Sequence, residues 1–117
     1  MDNESIRNFC LALPHATEGV QWDNDLLFRV GGKMFAVIAL EPEASNKLAF
    51  KCTPEKFEEL IELDGIIPAP YMARNKWVSL QRFDALKDSE IKSLIRNSYE
   101  MIFQKLPKKV QAQLKES

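Results

Sequence analysis

The clearest structural signal in the chain is LLFRVGGKMFAVIAL, which occupies residues 26–40. Two runs rich in apolar residues flank the pair Gly31 and Gly32. Glycine accepts the positive φ angles that a two-residue hairpin turn demands, so this pattern predicts a tight antiparallel hairpin. The hairpin is the nucleus from which the rest of the predicted sheet is built outward.

Alternation of side chains along the two strands divides the predicted hairpin into two faces. The cross-strand pairs expected around the turn are Val30–Lys33, Phe28–Phe35 and Leu26–Val37. The expected core face carries Leu26, Phe28, Val30, Phe35 and Val37. The opposite face carries Leu27, Arg29, Met34, Ala36 and Ile38. That second face is too apolar for bulk water, so we expect it to be partly covered.

The flanking sequence adds two strands and three helices. Apolar periodicity predicts strands over residues 48–52 and 76–80 and a helix over residues 4–13. A second helix should begin at Thr53 and end at a Gly65 cap, and a long third should begin at Asp88 or Ser89 and end at Pro107. Residues 66–75 show no clear period, and a short helical turn should follow Pro107. Hairpin-linked strands with helices imply an α+β fold of two layers, an antiparallel sheet with helices packed on it.

Length and charge limit the class of protein. The chain has 117 residues, 16 Lys and Arg, 17 Asp and Glu, and a net charge of −1. This length predicts one domain over residues 1–117, expected to be a monomer. The near-neutral charge disfavours non-specific coating of nucleic acid or membrane. The start of the chain does not resemble a signal peptide and no apolar run could span a bilayer, so we expect a cytoplasmic protein with no membrane partner.

The sequence contains no positive case for catalysis. His15 is the single histidine and follows no recognisable nucleophile motif, and Gly31-Gly32 lies between two strands instead of in a phosphate loop. Cys10 and Cys52 are interpreted as small buried hydrophobes. The spacing of Asp23 and Asp25 alone is too weak for a metal site. We therefore expect a non-enzymatic domain with no cofactor and no metal.

Charge distribution favours a local binding site. Residues 1–60 hold ten acids and six bases, a balance of −4, while residues 61–117 hold seven acids and ten bases, a balance of +3. Bases contact phosphates, aromatic rings stack on nucleobases and amides read base edges. The residues expected to bind nucleic acid are Lys33, Lys51, Tyr71, Arg74, Asn75, Lys76, Trp77 and Arg82.

Two alternatives compete with this hypothesis. In the first, Trp77 fills the core and the basic residues are ordinary surface residues, since large aromatic side chains are buried on average. In the second, the domain binds a protein partner or a small anionic ligand, because Tyr, Trp and Arg also dominate interaction hot spots. That module would use the apolar second face of the hairpin, with Leu27, Met34 and Ile38.

Five segments together resemble the MmcQ/YjbR family. They are CLALPHATE at 10–18, FRVGGKMFA at 28–36, LAFKCTPE at 48–55, PAPY at 68–71 with KWVSL at 76–80, and SY at 98–99. They follow the order of the family's motifs over nearly the whole chain. One departure is His15, where a glycine is common in the family.

The resemblance implies a CyaY-like α+β fold. The family is described as a predicted DNA-binding group because its fold is similar to a double-wing DNA-binding domain, and its basic and aromatic positions correspond here to Lys33, Lys51, Lys76 and Trp77. It supplies no catalytic residue. A frataxin-like fold also suggests iron binding, which would need an acidic first helix. That helix offers Asp2 and Glu4 against one arginine, so we do not expect an iron site.

Overall fold

The computed structural model describes residues 1–22 and 24–116, and Asp23 of the acidic pair lies outside them. Six strands form one antiparallel sheet in the order β1-β2-β3-β4-β6-β5. The strands are β1 Thr17–Gln21, β2 Asp25–Val30, β3 Lys33–Ala39, β4 Leu48–Lys51, β5 Ile66–Pro68 and β6 Trp77–Leu80. The predicted hairpin is β2 and β3, at the middle of the sheet.

The helices cover one face of this sheet, which we call the helix face. They are α1 Asn3–Ala12, α2 Pro54–Leu60, α3 Asp88–Lys105 and α4 Lys108–Lys115. Asp2 caps α1 and Thr53 caps α2, each side chain accepting a backbone N–H of the first turn. Apolar residues of all four helices pack against one core with the strands. The two-layer α+β architecture expected from the sequence is confirmed. No helix in the described part of the chain is both long and apolar enough to cross a membrane.

A β-bulge in the hairpin makes part of the predicted face assignment wrong. Val30 pairs with Lys33 as expected, but the register then shifts, so that Phe28 lies opposite Ala36 instead of Phe35. A bulge adds one residue to one strand, and every side chain beyond it points to the other face. Ala36 and Ile38 therefore belong to the helix-face core, whereas Val37 joins Leu27 on the opposite face, the far face.

The side chain of Ser98 compensates the bulge. Its hydroxyl donates to the carbonyl of Phe35 at 2.7 Å and accepts the N–H of Lys51 at 3.1 Å. Neighbouring Tyr99 donates its hydroxyl to the Pro14 carbonyl at 2.7 Å, which ties α3 to the turn that follows α1. A bulge leaves backbone groups without ladder partners, and a buried unpaired group is costly. The SY pair of the last long helix thus satisfies backbone groups on other elements.

Replacing Ser98 by alanine is expected to lower the free energy of unfolding by about 2–4 kcal/mol, because a buried carbonyl and a part-buried N–H lose their partner. Urea denaturation of the Ser98→Ala variant measures this loss. Ser93→Ala is the matched control, since Ser93 is exposed on the same helix and its loss should change stability by no more than about 0.5 kcal/mol. Equal transition midpoints for the two variants would contradict the role assigned to Ser98.

The far face is partly covered, as expected, by the connection from β5 to β6. Ala69 and Trp77 are buried there against Leu27 and Val37, and Met72 packs beside them. The connection contains a 3₁₀ turn at Ala73–Asn75 and is closed by backbone hydrogen bonds, including Ala69 N–H to the Trp77 carbonyl at 3.0 Å. The apolar far face exists, but its members differ from those predicted because Ile38 points to the helix face.

Three smaller differences concern turns and helix ends. Gly65 does not cap α2, which ends at Leu60; with φ 87° it forms the turn into β5, a strand that the sequence did not reveal. The N-cap of α3 is Lys87 instead of Asp88 or Ser89, and the Glu90 carboxylate accepts the N–H of Lys87.

His15 has φ 62°, in the left-handed region that favours glycine. That conformation accounts for the glycine common at this position in the family.

Candidate nucleic-acid interface

Three predicted lysines lie at the same end of the sheet because of where their strands begin and end. Lys33 begins β3, Lys51 ends β4, and Lys76 directly precedes β6. The strands β3, β4 and β6 are neighbours, and Lys51 lies opposite Trp77 in the register. Antiparallel pairing thus brings the first residue of one strand beside the last residue of the next. All three lysines lie at one end of the sheet.

Two helices add further lysines to the same end. The pKa of the Lys51 ammonium is lowered by partial burial and then by the charge of Lys105, which lies in the last turn of α3. Lys56, in the first turn of α2, also lies close enough to influence the neighbouring Cys52 thiol. We call this cluster the basic end of the sheet; its members are Lys33, Lys51, Lys56, Lys76 and Lys105.

Several of these ammonium groups are held by local contacts. Lys51 Nζ donates to the Asn75 carbonyl at 2.6 Å, so it supports the connection that leads to Lys76. Lys76 Nζ lies 5.0 Å from the centroid of the Phe57 ring, a cation–π distance. Lys56 forms a long ion pair of 3.9 Å with Glu59. None of these contacts cancels the positive charge of Lys51 or Lys76.

Cys52 lies among the lysines without becoming reactive. Burial raises the pKa of the Cys52 thiol to about 11, although the charges of three neighbouring lysines act in the opposite direction. These lysines are Lys51, Lys56 and Lys76. Burial also raises the pKa of Cys10 to about 12. Both cysteines are buried, as the sequence predicts, and desolvation of the thiolate exceeds the electrostatic attraction at Cys52.

Both thiols should resist alkylation in the folded protein at neutral pH. Iodoacetamide followed by mass spectrometry should find Cys10 and Cys52 unmodified in native protein and both modified in denaturant. The raised pKa values also stabilise the fold below the ordinary thiol value of 9.0, and that contribution is lost as pH rises toward 11 and 12. Native labelling of Cys52 at the denatured rate would contradict its burial.

Arg82 is not part of the basic end. It follows the last residue of β6, whereas Lys76 precedes the first, so the two lie at opposite ends of that strand. Its guanidinium binds Asp64 at 3.2 Å and Asp84 at 2.8 Å. The geometry contradicts its predicted grouping with the lysines, because the direction of β6 carries Arg82 away.

Trp77 is buried, so the prediction that its ring stacks on a base is wrong. Only 5% of its surface is exposed, and the ring packs with Leu27, Val37 and Ala69 on the far face. The alternative considered from the sequence, a core role, describes this side chain correctly. The physical reason is the bulged hairpin, which leaves an apolar far face that a large ring covers.

The other three predicted residues are accessible. Arg74 and Asn75 are exposed in the 3₁₀ turn directly before Lys76, and can reach a ligand bound at the basic end. Tyr71 is fully exposed but lines a cavity on the far face. Lys56 and Lys105 were missed by sequence reasoning. Only the N-cap at Thr53, which places Lys56 on the first turn beside Cys52, carried a signal for one of them.

The chain is similar to a known protein family and to solved structures. The YjbR family model matches residues 11–101. A Deinococcus radiodurans protein with a DUF419 domain has a crystal structure that aligns at TM-score 0.86 and 25% identity, over 97% of this chain and 88% of that one. A Pseudomonas syringae protein aligns at TM-score 0.72 and 20% identity, over 87% of this chain and 99% of the other. No curated protein matches.

An antiparallel sheet with helices on one face and a lysine-rich end defines a small α+β domain. The family match extends over most of that domain, from α1 into α3. The chain belongs to the YjbR family.

Proposed function

We propose that this domain binds nucleic acid through the basic end of the sheet. The observation that carries the proposal is the convergence of Lys33, Lys51 and Lys76 on one end of three adjacent strands. Lys105 and Lys56 extend the same cationic surface onto two helices. This arrangement suits a polyanion, since each ammonium can meet a separate phosphate.

The chemistry of the surface favours phosphate contacts over base reading. Lysine is a flexible point charge, so it holds a phosphate without fixing a base sequence. Arg74 and Asn75, exposed in the turn before β6, supply a planar guanidinium and an amide that can approach a backbone or a base edge. With Trp77 buried, no aromatic ring of the basic end stacks on bases. We therefore expect modest affinity, weak sequence preference and strong dependence on salt.

A titration of labelled duplex and single-stranded DNA, followed by fluorescence anisotropy, tests the proposal. The two nucleic acids should each bind at about 50 mM salt and lose most of their affinity at about 200 mM. Absence of binding to both at the lower salt concentration would overturn the proposed function.

A further inference from the structure

The far face contains a cavity of about 670 Å³ that the basic end does not use. Its wall is mostly apolar and is formed by strands on one side and by the connection from β5 to β6 on the other. Its apolar members include Met34, Val37, Ala49, Ala69, Pro70 and Met72. This volume and this lining are those of small-molecule sites, which typically enclose roughly 300–1,000 Å³.

Two aromatic side chains stand exposed at the cavity. Trp22 is 58% exposed and Tyr71 fully exposed, and both line the cavity. Their φ angles of 50° and 65° lie in the left-handed region, which is unfavourable for a bulky residue. More than half of the Trp22 surface and the whole of the Tyr71 surface stay exposed in the free protein, so burial offsets little of this cost. A flat ligand in the cavity would bury both ring surfaces at once.

Asn46 provides a polar anchor in the same wall. Its Oδ1 atom is covered and has no hydrogen-bond partner among the described residues. An unpaired buried acceptor costs about 1–3 kcal/mol, and a turn of the Asn46 side chain toward the cavity that it lines would let a donor on a ligand remove that cost. A basic and an acidic side chain, Lys47 and Asp25, also border the cavity, so that their charges balance. The lining thus favours a neutral ligand over an anion.

We propose that the far-face cavity binds a small, flat, uncharged aromatic molecule that carries an N–H or O–H donor. Its apolar body packs on Val37, Ala49 and Met72, its ring contacts Trp22 and Tyr71, and its donor meets the amide of Asn46. The site shares no residue with the basic end, so ligand binding there can be tested independently of nucleic-acid binding.

Two neutral naphthalenes that differ in one donor test the proposal. Calorimetric titration should show that 2-naphthol binds the full chain about five- to tenfold more tightly than 2-methoxynaphthalene, which lacks the donor. Asn46→Ala should abolish that difference. Tyr71→Asn should weaken both probes at least threefold, and asparagine tolerates the positive φ angle of this exposed position, so folding is preserved.

Leu63→Ser is the matched control, because Leu63 is exposed and apolar but does not line the cavity. It should leave both affinities unchanged. The proposal is overturned if neither probe binds up to its solubility limit, if the two probes bind equally to the unsubstituted chain, or if Leu63→Ser weakens binding as much as Tyr71→Asn. Circular dichroism of each variant confirms that the fold compared is the same.

Discussion

Trp77→Ala is expected to lower the free energy of unfolding by about 3–5 kcal/mol. The indole is 5% exposed and fills the space between the far face of the sheet and the connection that covers it. Truncation removes the transfer free energy of a large ring and leaves a cavity that the surrounding strands cannot close. Since small domains are stable by only about 5–15 kcal/mol, this single change consumes a large share of the total.

Trp22→Ala is the matched control for that experiment. The Trp22 side chain is 58% exposed, so its removal should change the free energy of unfolding by no more than about 0.5 kcal/mol. Urea unfolding measures both variants, and each retains one tryptophan as a fluorescent reporter. The remaining ring should emit as a buried indole in Trp22→Ala and as a solvated one in Trp77→Ala. Equal loss of stability in the two variants would contradict the buried position of Trp77.

Replacing three lysines of the basic end by glutamine is expected to weaken DNA binding by about tenfold per lost phosphate contact near 0.1 M salt. The variant is Lys33→Gln, Lys51→Gln and Lys76→Gln, and glutamine preserves most of the side chain that packs on neighbouring residues. The loss follows from the release of fewer counterions when fewer phosphates are neutralised. Anisotropy titration of a labelled duplex measures it.

A charge-matched variant controls for the change in net charge. Arg82→Gln, Lys87→Gln and Lys92→Gln remove the same three positive charges, but from residues after β6 and at the start of α3, far along that helix from Lys105. Affinity should fall by less than about threefold, since exposed charges beyond one Debye length are largely screened. If the two triple variants weaken binding equally, the site is not the basic end.

The hairpin shows which features of the fold can be predicted from the sequence and which cannot. The Gly31-Gly32 turn and the Val30–Lys33 pair follow from local rules, and the structure has both. The register shift between Phe28 and Arg29 does not follow from local rules, because contacts outside the hairpin stabilise the bulge. The Ser98 hydroxyl, which belongs to a helix, donates a hydrogen bond to the Phe35 carbonyl at the bulge, and the two residues are 63 positions apart in the chain. The periodicity of the sequence does not reveal a contact between residues so far apart in the chain. The bulge that this contact stabilises determines which face of the sheet Val37 and Ile38 occupy.

The candidate site likewise contains residues that could be predicted from the sequence and residues that could not. Lys33, Lys51 and Lys76 were predictable because each lies at or directly beside the end of a strand, and strand order places these ends next to one another. Lys105 and Lys56 belong to helices, whose position over the sheet depends on packing that the sequence pattern does not specify. The burial of Trp77 was likewise undecided, since its strand pattern is compatible with either face. The cavity beside it forms only when the connection from β5 folds over the far face.

The salt dependence of duplex affinity measures how many phosphates the basic end neutralises. Plotted as the logarithm of the binding constant against the logarithm of salt concentration, the unsubstituted chain should give a slope of about −0.9 for each neutralised phosphate. The Lys33, Lys51 and Lys76 triple variant should reduce the steepness by about 0.9 per lysine, whereas the Arg82, Lys87 and Lys92 variant should keep the original slope. A single slope shared by all three proteins would contradict the claim that the basic end binds nucleic acid.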